Sequence, residues 1–162
     1  MIVNKFILTV CALIWCFGVS AHTLSDEARI SLKVVVPNGD MPVEVCQLLE
    51  NKLTNIITNS GYADNGYIDR FVLSAKIDVL SKDIAQSIPA YVSQKLCITF
   101  AVGDVIENKV YSTCSVTLSG IGTNETKSFI SAFSALKTGN SIIQEMLDSA
   151  KHKIIAFYTD NC

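Results

Sequence analysis

The chain has 162 residues, 13 Lys+Arg against 15 Asp+Glu, and 49% hydrophobic residues. That length suits one domain, with at most a targeting segment beside it. A charged fraction of only 17% excludes disorder over most of the chain, and a net charge of −2 leaves no basic footprint for nucleic acid or an anionic membrane surface.

The N-terminus reads as an address. Lys5 supplies a positive start, and Phe6 to Val19 is an almost unbroken apolar run of about fourteen residues, in the range of a signal-peptide core. Val19-Ser20-Ala21 then offers compact residues at the positions a signal peptidase reads. The expected organisation is a signal peptide over 1–21, cleaved after Ala21, and a single domain over 22–162, periplasmic or secreted. A spanning helix needs roughly 20 apolar residues, so no membrane span is expected after processing. Cys11 and Cys16 follow Val10 and Trp15 rather than the small residue that lipid attachment requires.

Ile30 to Val36 alternates, with Ile30, Leu32, Val34 and Val36 on one face, and predicts a half-buried strand that Pro37-Asn-Gly-Asp40 ends. Pro42 opens a helix in which Cys46, Leu49, Leu53, Ile56 and Ile57 recur at three and four. Gly61 is its expected left-handed cap. After a polar loop over 62–69, Phe71 to Val79 alternates again, with Phe71, Leu73, Ala75, Ile77 and Val79 inward. Ser81 to Ala90 reads as a weakly patterned connection. Tyr91 to Val102 is a long strand with Leu96, Ile98, Phe100 and Val102 on its apolar side, and 103–109 is a turn. Val110 to Leu118 returns, with Val110, Cys114, Val116 and Leu118 inward. A helix from about Glu125 buries Phe129, Ile130, Phe133 and Leu136. Ser141 caps a last helix carrying Ile143, Leu147, Ala150, Ile154 and Phe157 or Tyr158 on its apolar side.

The order β-α-β-β-β-α-α, with one wet and one apolar face per strand, predicts an α+β two-layer sandwich: a mixed four-stranded sheet with helices on one face. Short links make strands two to four an antiparallel meander, and strands one and two are expected to run parallel through a right-handed crossover.

Processing leaves Cys46, Cys97, Cys114 and Cys162. An exported chain with an even count suggests disulfides. Cys97 is odd-numbered among even apolar positions and points away from the helices, whereas Cys114 points toward them, so these two cannot meet a disulfide's short Cβ separation unless a bulge flips one strand. Cys46 and Cys162 both belong to the helical layer, and a Cys46–Cys162 bond is expected. It would close a loop worth up to about 4–5 kcal/mol in the chain-entropy model. The alternative is four thiols used as small hydrophobes. No C-x-x-C occurs and no His sits at ligand spacing from a Cys, so neither a zinc site nor any other metal or cofactor is expected.

Few constellations could carry chemistry. His152, between Lys151 and Lys153 near a helix end, reads as a favourable charge at a negative helix terminus. Gly120-x-Gly122 before a helix is the most suggestive local feature: with Thr123 and Lys127 it could hold an anion at free backbone N–H groups. The plainer reading is that the glycines let the chain turn, with Thr123 or Asn124 as N-cap. Asp64 and Asp69 cluster with Tyr62 and Tyr67 in the first polar loop, where solvated loop chemistry is the commoner role.

Val45-Cys-Gln-Leu-Leu, Arg70-Phe-Val-Leu, the passage from Val116 to Phe133 and the closing Lys151 to Cys162 resemble an uncharacterised family of exported proteins from Bacteroides-like bacteria. That family has no activity to carry over. The element order is more distantly similar to small α+β domains of cell-envelope proteins: the TolB N-terminal domain, CsgG and the penicillin-binding-protein activators. The resemblance implies an envelope setting. Export, a compact α+β domain and the absence of a catalytic constellation make the expected function a non-enzymatic binding module for another envelope component. Its candidate surface is the open sheet face: Tyr111, Thr113, Ser115, Thr117, Thr99 and Lys95. The rival readings are a small secreted hydrolase using loop carboxylates such as Asp64 or Asp69, and an anion or nucleotide sensor at Gly120, Gly122, Thr123 and Lys127.

Overall fold

The structure, a computed structural model, describes residues 30–36, 41–62, 70–86 and 88–160. The leader over 1–21, the loop carboxylates Asp64 and Asp69, and Cys162 lie outside the described residues. In chain order the elements are β1 (Leu32–Val35), α1 (Val43–Asn59), β2 (Phe71–Ala85), β3 (Tyr91–Asp104), β4 (Lys109–Gly122), α2 (Glu125–Ser134) and α3 (Ser141–Asp160). The sheet order is β1-β2-β3-β4, with β1 parallel to β2 and the other pairs antiparallel. This is the expected α+β fold, its helices packed on the sheet.

The apolar spacing of α1 explains its place. Val45, Cys46, Leu49, Leu53, Ile56 and Ile57 are all buried, forming one stripe against the sheet. Each fully buried Leu or Ile is worth about 1.5–3 kcal/mol. The helix ends in a Schellman motif: the N–H of Gly61 donates to the Thr58 carbonyl at 3.1 Å, and that of Tyr62 to the Ile57 carbonyl at 2.8 Å. Gly61 has φ +80°, which a side chain would resist. Tyr62, now turned inward, accepts through its carbonyl from the Leu32 N–H at 3.2 Å and so ties the helix exit to β1.

The alternation expected for β3 is realised along its length. Leu96, Ile98, Phe100 and Val102 are fully buried, and α2 and α3 cover their side of the sheet. Two β-bulges shift the reading on the neighbouring strands. In β2 the pairing steps from Val79↔Leu96 to Ser81↔Lys95, leaving Leu80 extra. The strand then continues to Ala85, through the stretch read as a connection. The alternation changes phase at Leu80, and side chains beyond it are exposed on both faces, so no apolar face marks the extension.

The second bulge corrects a site residue. The β3–β4 pairing steps from Val102↔Ser112 to Gly103↔Val110, and Tyr111 is the extra residue. Tyr111 therefore turns under the helices, 5% exposed, while Val110 swings out to the open face at 61%. The expectation had these two reversed.

Asn124 caps α2, its Oδ1 accepting from the Lys127 N–H at 2.8 Å. For α3 the capping side chain is Asn140, whose Oδ1 accepts from the Ile142 N–H at 3.0 Å, rather than Ser141. Among the described residues there is no disulfide: Cys46, Cys97 and Cys114 are free thiols. Cys97 pairs across to Thr117 and Cys114 to Phe100, on opposite faces as expected, and burial pushes the Cys114 thiol up.

Candidate functional site

Two places on the sheet gather polar chemistry. The first is the helix-free face. Register sets Lys95 beside Ser119, Cys97 beside Thr117, Thr99 beside Ser115 and Ala101 beside Thr113, so the predicted hydroxyls form one contiguous surface. The Thr99 and Ser115 hydroxyls are 3.0 Å apart and hydrogen-bonded. The surface runs into a shallow depression of about 180 Å³, lined by Val72, Ser74, Ala101, Gly103, Val105 and Val110 among others. Small side chains make the dip: Ser74 is opposite Ala101, and Gly103 lies between Val72 and Val110. The sequence reading found the hydroxyls but not the dip, because it depends on two neighbouring strands aligning their small residues.

The second is a cluster at the end of the sheet that sequence reading missed. Asp104, only 2% exposed, closes β3. Its Oδ2 accepts from Arg70 Nε at 2.8 Å and from the Tyr158 hydroxyl. Its Oδ1 accepts from the backbone N–H groups of Ile106 at 2.8 Å and Glu107 at 3.1 Å. Burial alone would raise the carboxyl's pKa, but the bonds from Tyr158, Arg70 and the two N–H groups outweigh it and hold Asp104 below the usual carboxylate range. Arg70 also donates to Glu107 at 3.2 Å and to the Tyr158 hydroxyl, and its guanidinium lies 4.6 Å from the centre of the Tyr158 ring.

Aromatic rings pack around this ion pair. Phe71, Tyr111, Phe157 and Tyr158 meet edge to face at 5.1–6.4 Å between centroids, and Lys109 Nζ sits 3.7 Å from the centre of Phe157. Tyr158 is held well above the ordinary phenol range, by burial first and by the Asp104 carboxylate second. Its hydroxyl lies close enough to Tyr111 for each to affect the other's ionisation, yet no hydrogen bond closes between them, and the buried Tyr111 hydroxyl is unpartnered among the described residues. The chemistry that results is structural. The carboxylate oxygens already take four donors, and the phenol is locked in its protonated form. The cluster clasps the C-terminal turns of α3 to β2 and to the β3–β4 turn.

The Gly120-x-Gly122 segment lies within β4 rather than in a loop. A Cβ on Gly120 would fall 2.0 Å from the Ser128 carbonyl oxygen, and one on Gly122 would fall 2.5 Å from the Lys127 carbonyl carbon. The glycines let α2 lie directly on the strand. Thr123 follows the strand and precedes the cap, and the Lys127 N–H is taken by Asn124. Beneath them Ser128, fully buried, shares its one hydroxyl proton between the Gly120 carbonyl at 3.1 Å and Gln94 Oε1 at 3.3 Å. Gln94 in turn donates to Glu125 at 3.2 Å, and Lys82 pairs with Glu125 at 2.7 Å, which lowers the Glu125 pKa. Among the described residues no cluster of His, Cys, Asp and Glu is placed to hold a metal ion, and no helix is long and apolar enough to cross a membrane.

No family model matches the chain, and no curated protein does. In structure it is similar to a minor lipoprotein from Acinetobacter baumannii, with 16% identity and a TM-score of 0.41 over 81% of this chain and 93% of that one. It is also similar to a putative lipoprotein from Caulobacter crescentus CB15, with 12% identity and a TM-score of 0.41 over 80% and 87%. A third is the PelC dodecamer from Paraburkholderia phytofirmans, with 18% identity and a TM-score of 0.40 over 74% and 82%. Likeness at these identities and TM-scores carries no inference about activity.

Proposed function

We propose that the chain is an exported cell-envelope protein that works as a non-enzymatic interaction module, with the helix-free face of the sheet as its contact surface. The observation that carries this reading is the face itself: Lys95, Thr99, Thr113, Ser115 and Thr117 form a contiguous polar surface that opens into the depression over Ala101 and Gly103. A rigid sheet presenting hydroxyls beside a small apolar dip can orient a partner through hydrogen bonds while burying one of its apolar groups. The leader read at residues 1–21 and the resemblance to exported families support the envelope setting.

A site-directed photo-crosslinker tests it. Placed at Thr99 or Val110, the probe should trap one and the same envelope component in cells. Placed at Glu145, on the exposed side of α3, it should not. Adducts from Glu145 alone, or none from the open face, would overturn the assignment.

A further inference from the structure

The two long edges of this sheet are built differently. Among the described residues β1 pairs with β2 only over Phe71 to Ser74, and β2 runs on to Ala85 with no strand described on that side. That stretch carries the devices that keep sheet edges from joining: outward charges at Lys76, Asp78, Lys82 and Asp83, and a bulge at Leu80. β4 is the opposite edge. From Val110 to Gly122 it has no charged residue and no Pro, it is rich in β-branched residues, and from Ser112 it pairs with β3 in unbroken register. Its only bulge is at Tyr111, at the far end. The Ile121 N–H is taken by Ser131 Oγ at 3.4 Å. Between Ser112 and Ser119 the strand's backbone makes no backbone–backbone bond outside β3 among the described residues. Such an edge is a template for another strand.

We propose that this edge is the contact between two copies of the chain, joined antiparallel through β4 about a two-fold axis at Ser115. The sequence of the strand favours its own copy as occupant. In that register Thr113 faces Thr117 of the second copy and Ser115 faces itself on the open side, while Cys114 faces Val116 on the helix side. Every pair keeps to one face of the joined sheet. The open side continues the hydroxyl pairing already made by Thr99 and Ser115 within one copy. A strand bearing charges would find no partner for them here, whereas a second copy brings none. The pairing is isologous and closes at two, and it extends the helix-free surface across an eight-stranded sheet.

The test is sedimentation velocity on the purified full chain over a range of concentrations. The wild type should pass from monomer to dimer mass as concentration rises. Thr113→Lys with Thr117→Lys sets like charges opposite each other twice and should weaken the dimer by roughly tenfold or more. Thr113→Lys with Thr117→Glu sets opposite charges there and should restore it. The restoring variant carries the same number of changes on the same exposed positions, so its dimer rules out misfolding as the cause of the first result. A wild type that stays monomeric at every concentration would overturn the proposal and leave the edge to a foreign strand. A dimer indifferent to both charge patterns would overturn it as well.

Discussion

Ser128 and Gly120 are in backbone contact: the Ser128 hydroxyl donates to the Gly120 carbonyl at 3.1 Å, and a side chain on Gly120 would fall 2.0 Å from the Ser128 carbonyl oxygen. No rotamer can relieve a clash against helix backbone, so α2 would have to lift off β4. Gly120→Ala should therefore lower unfolding free energy by about 3 kcal/mol, at the upper end of overpacking costs. Urea denaturation measures it. A loss under ~1 kcal/mol would show that the helix sits higher than described.

The same contact makes Ser128 a buried hub. Ser128→Ala removes the single hydroxyl proton that Gly120 O and Gln94 Oε1 share, both shut away from water. Leaving a buried acceptor without its donor costs about 1–3 kcal/mol. Lys82→Ala, which removes only the exposed end of the network at Glu125, should cost less than ~1 kcal/mol. The two variants compared by thermal melting should fall in that order, and the reverse order would place the energy of the network at its surface.

Asp104 predicts a pH dependence. Its folded pKa lies below the ordinary value, so the folded state gives up the proton more readily than the unfolded one. The resulting stability is present above the unfolded pKa of about 3.9 and is lost as pH falls through the folded value. Asp104→Asn puts an amide where Arg70 or Tyr158 needs an acceptor, and should cost about 2 kcal/mol at neutral pH. The gap between variant and wild type should narrow once the pH drops below about 4. Tyr158 acts in the opposite direction: its raised pKa favours the protonated phenol in the folded state, so its contribution fades as pH rises past about 10. A gap that stays constant into acid would show that Asp104 is neutral in the fold.

Much of the fold was legible because burial follows period. Leu96 to Val102 alternate without interruption, Leu49, Leu53 and Ile56 recur at helical spacing, and Gly61 stands where a left-handed cap is needed, so strands, stripe and helix end could be read one residue at a time. The bulges could not be. A bulge at Leu80 or Tyr111 moves one residue out of phase without any local residue that demands it, and register against the facing strand decides where it falls. The clasp was hidden for a related reason. Arg70, Asp104 and Tyr158 are isolated in sequence and converge only when β2, β3 and α3 end at the same side of the sheet. The open-face hydroxyls were legible as a surface, and the dip beside them was not.

Tyr111 allows a test of the bulge itself. Tyr111 is buried among Phe71 and Phe157 with its hydroxyl unpartnered among the described residues, so the oxygen loses hydration without a hydrogen bond from them in return. Desolvating a hydroxyl without compensation costs about 1–3 kcal/mol on protein scales, and the ring contributes its apolar packing regardless. Tyr111→Phe keeps the ring and removes the oxygen. It should leave stability unchanged or raise it by up to about 1 kcal/mol. Val110→Thr, on the exposed side of the same step, should change stability by less than ~0.5 kcal/mol. If the chain instead ran without the bulge, Tyr111 would face solvent and Val110 the core, and Val110→Thr would become the costly change. Melting curves of the two variants decide between these registers, because the sign at Tyr111 and the size at Val110 must move together.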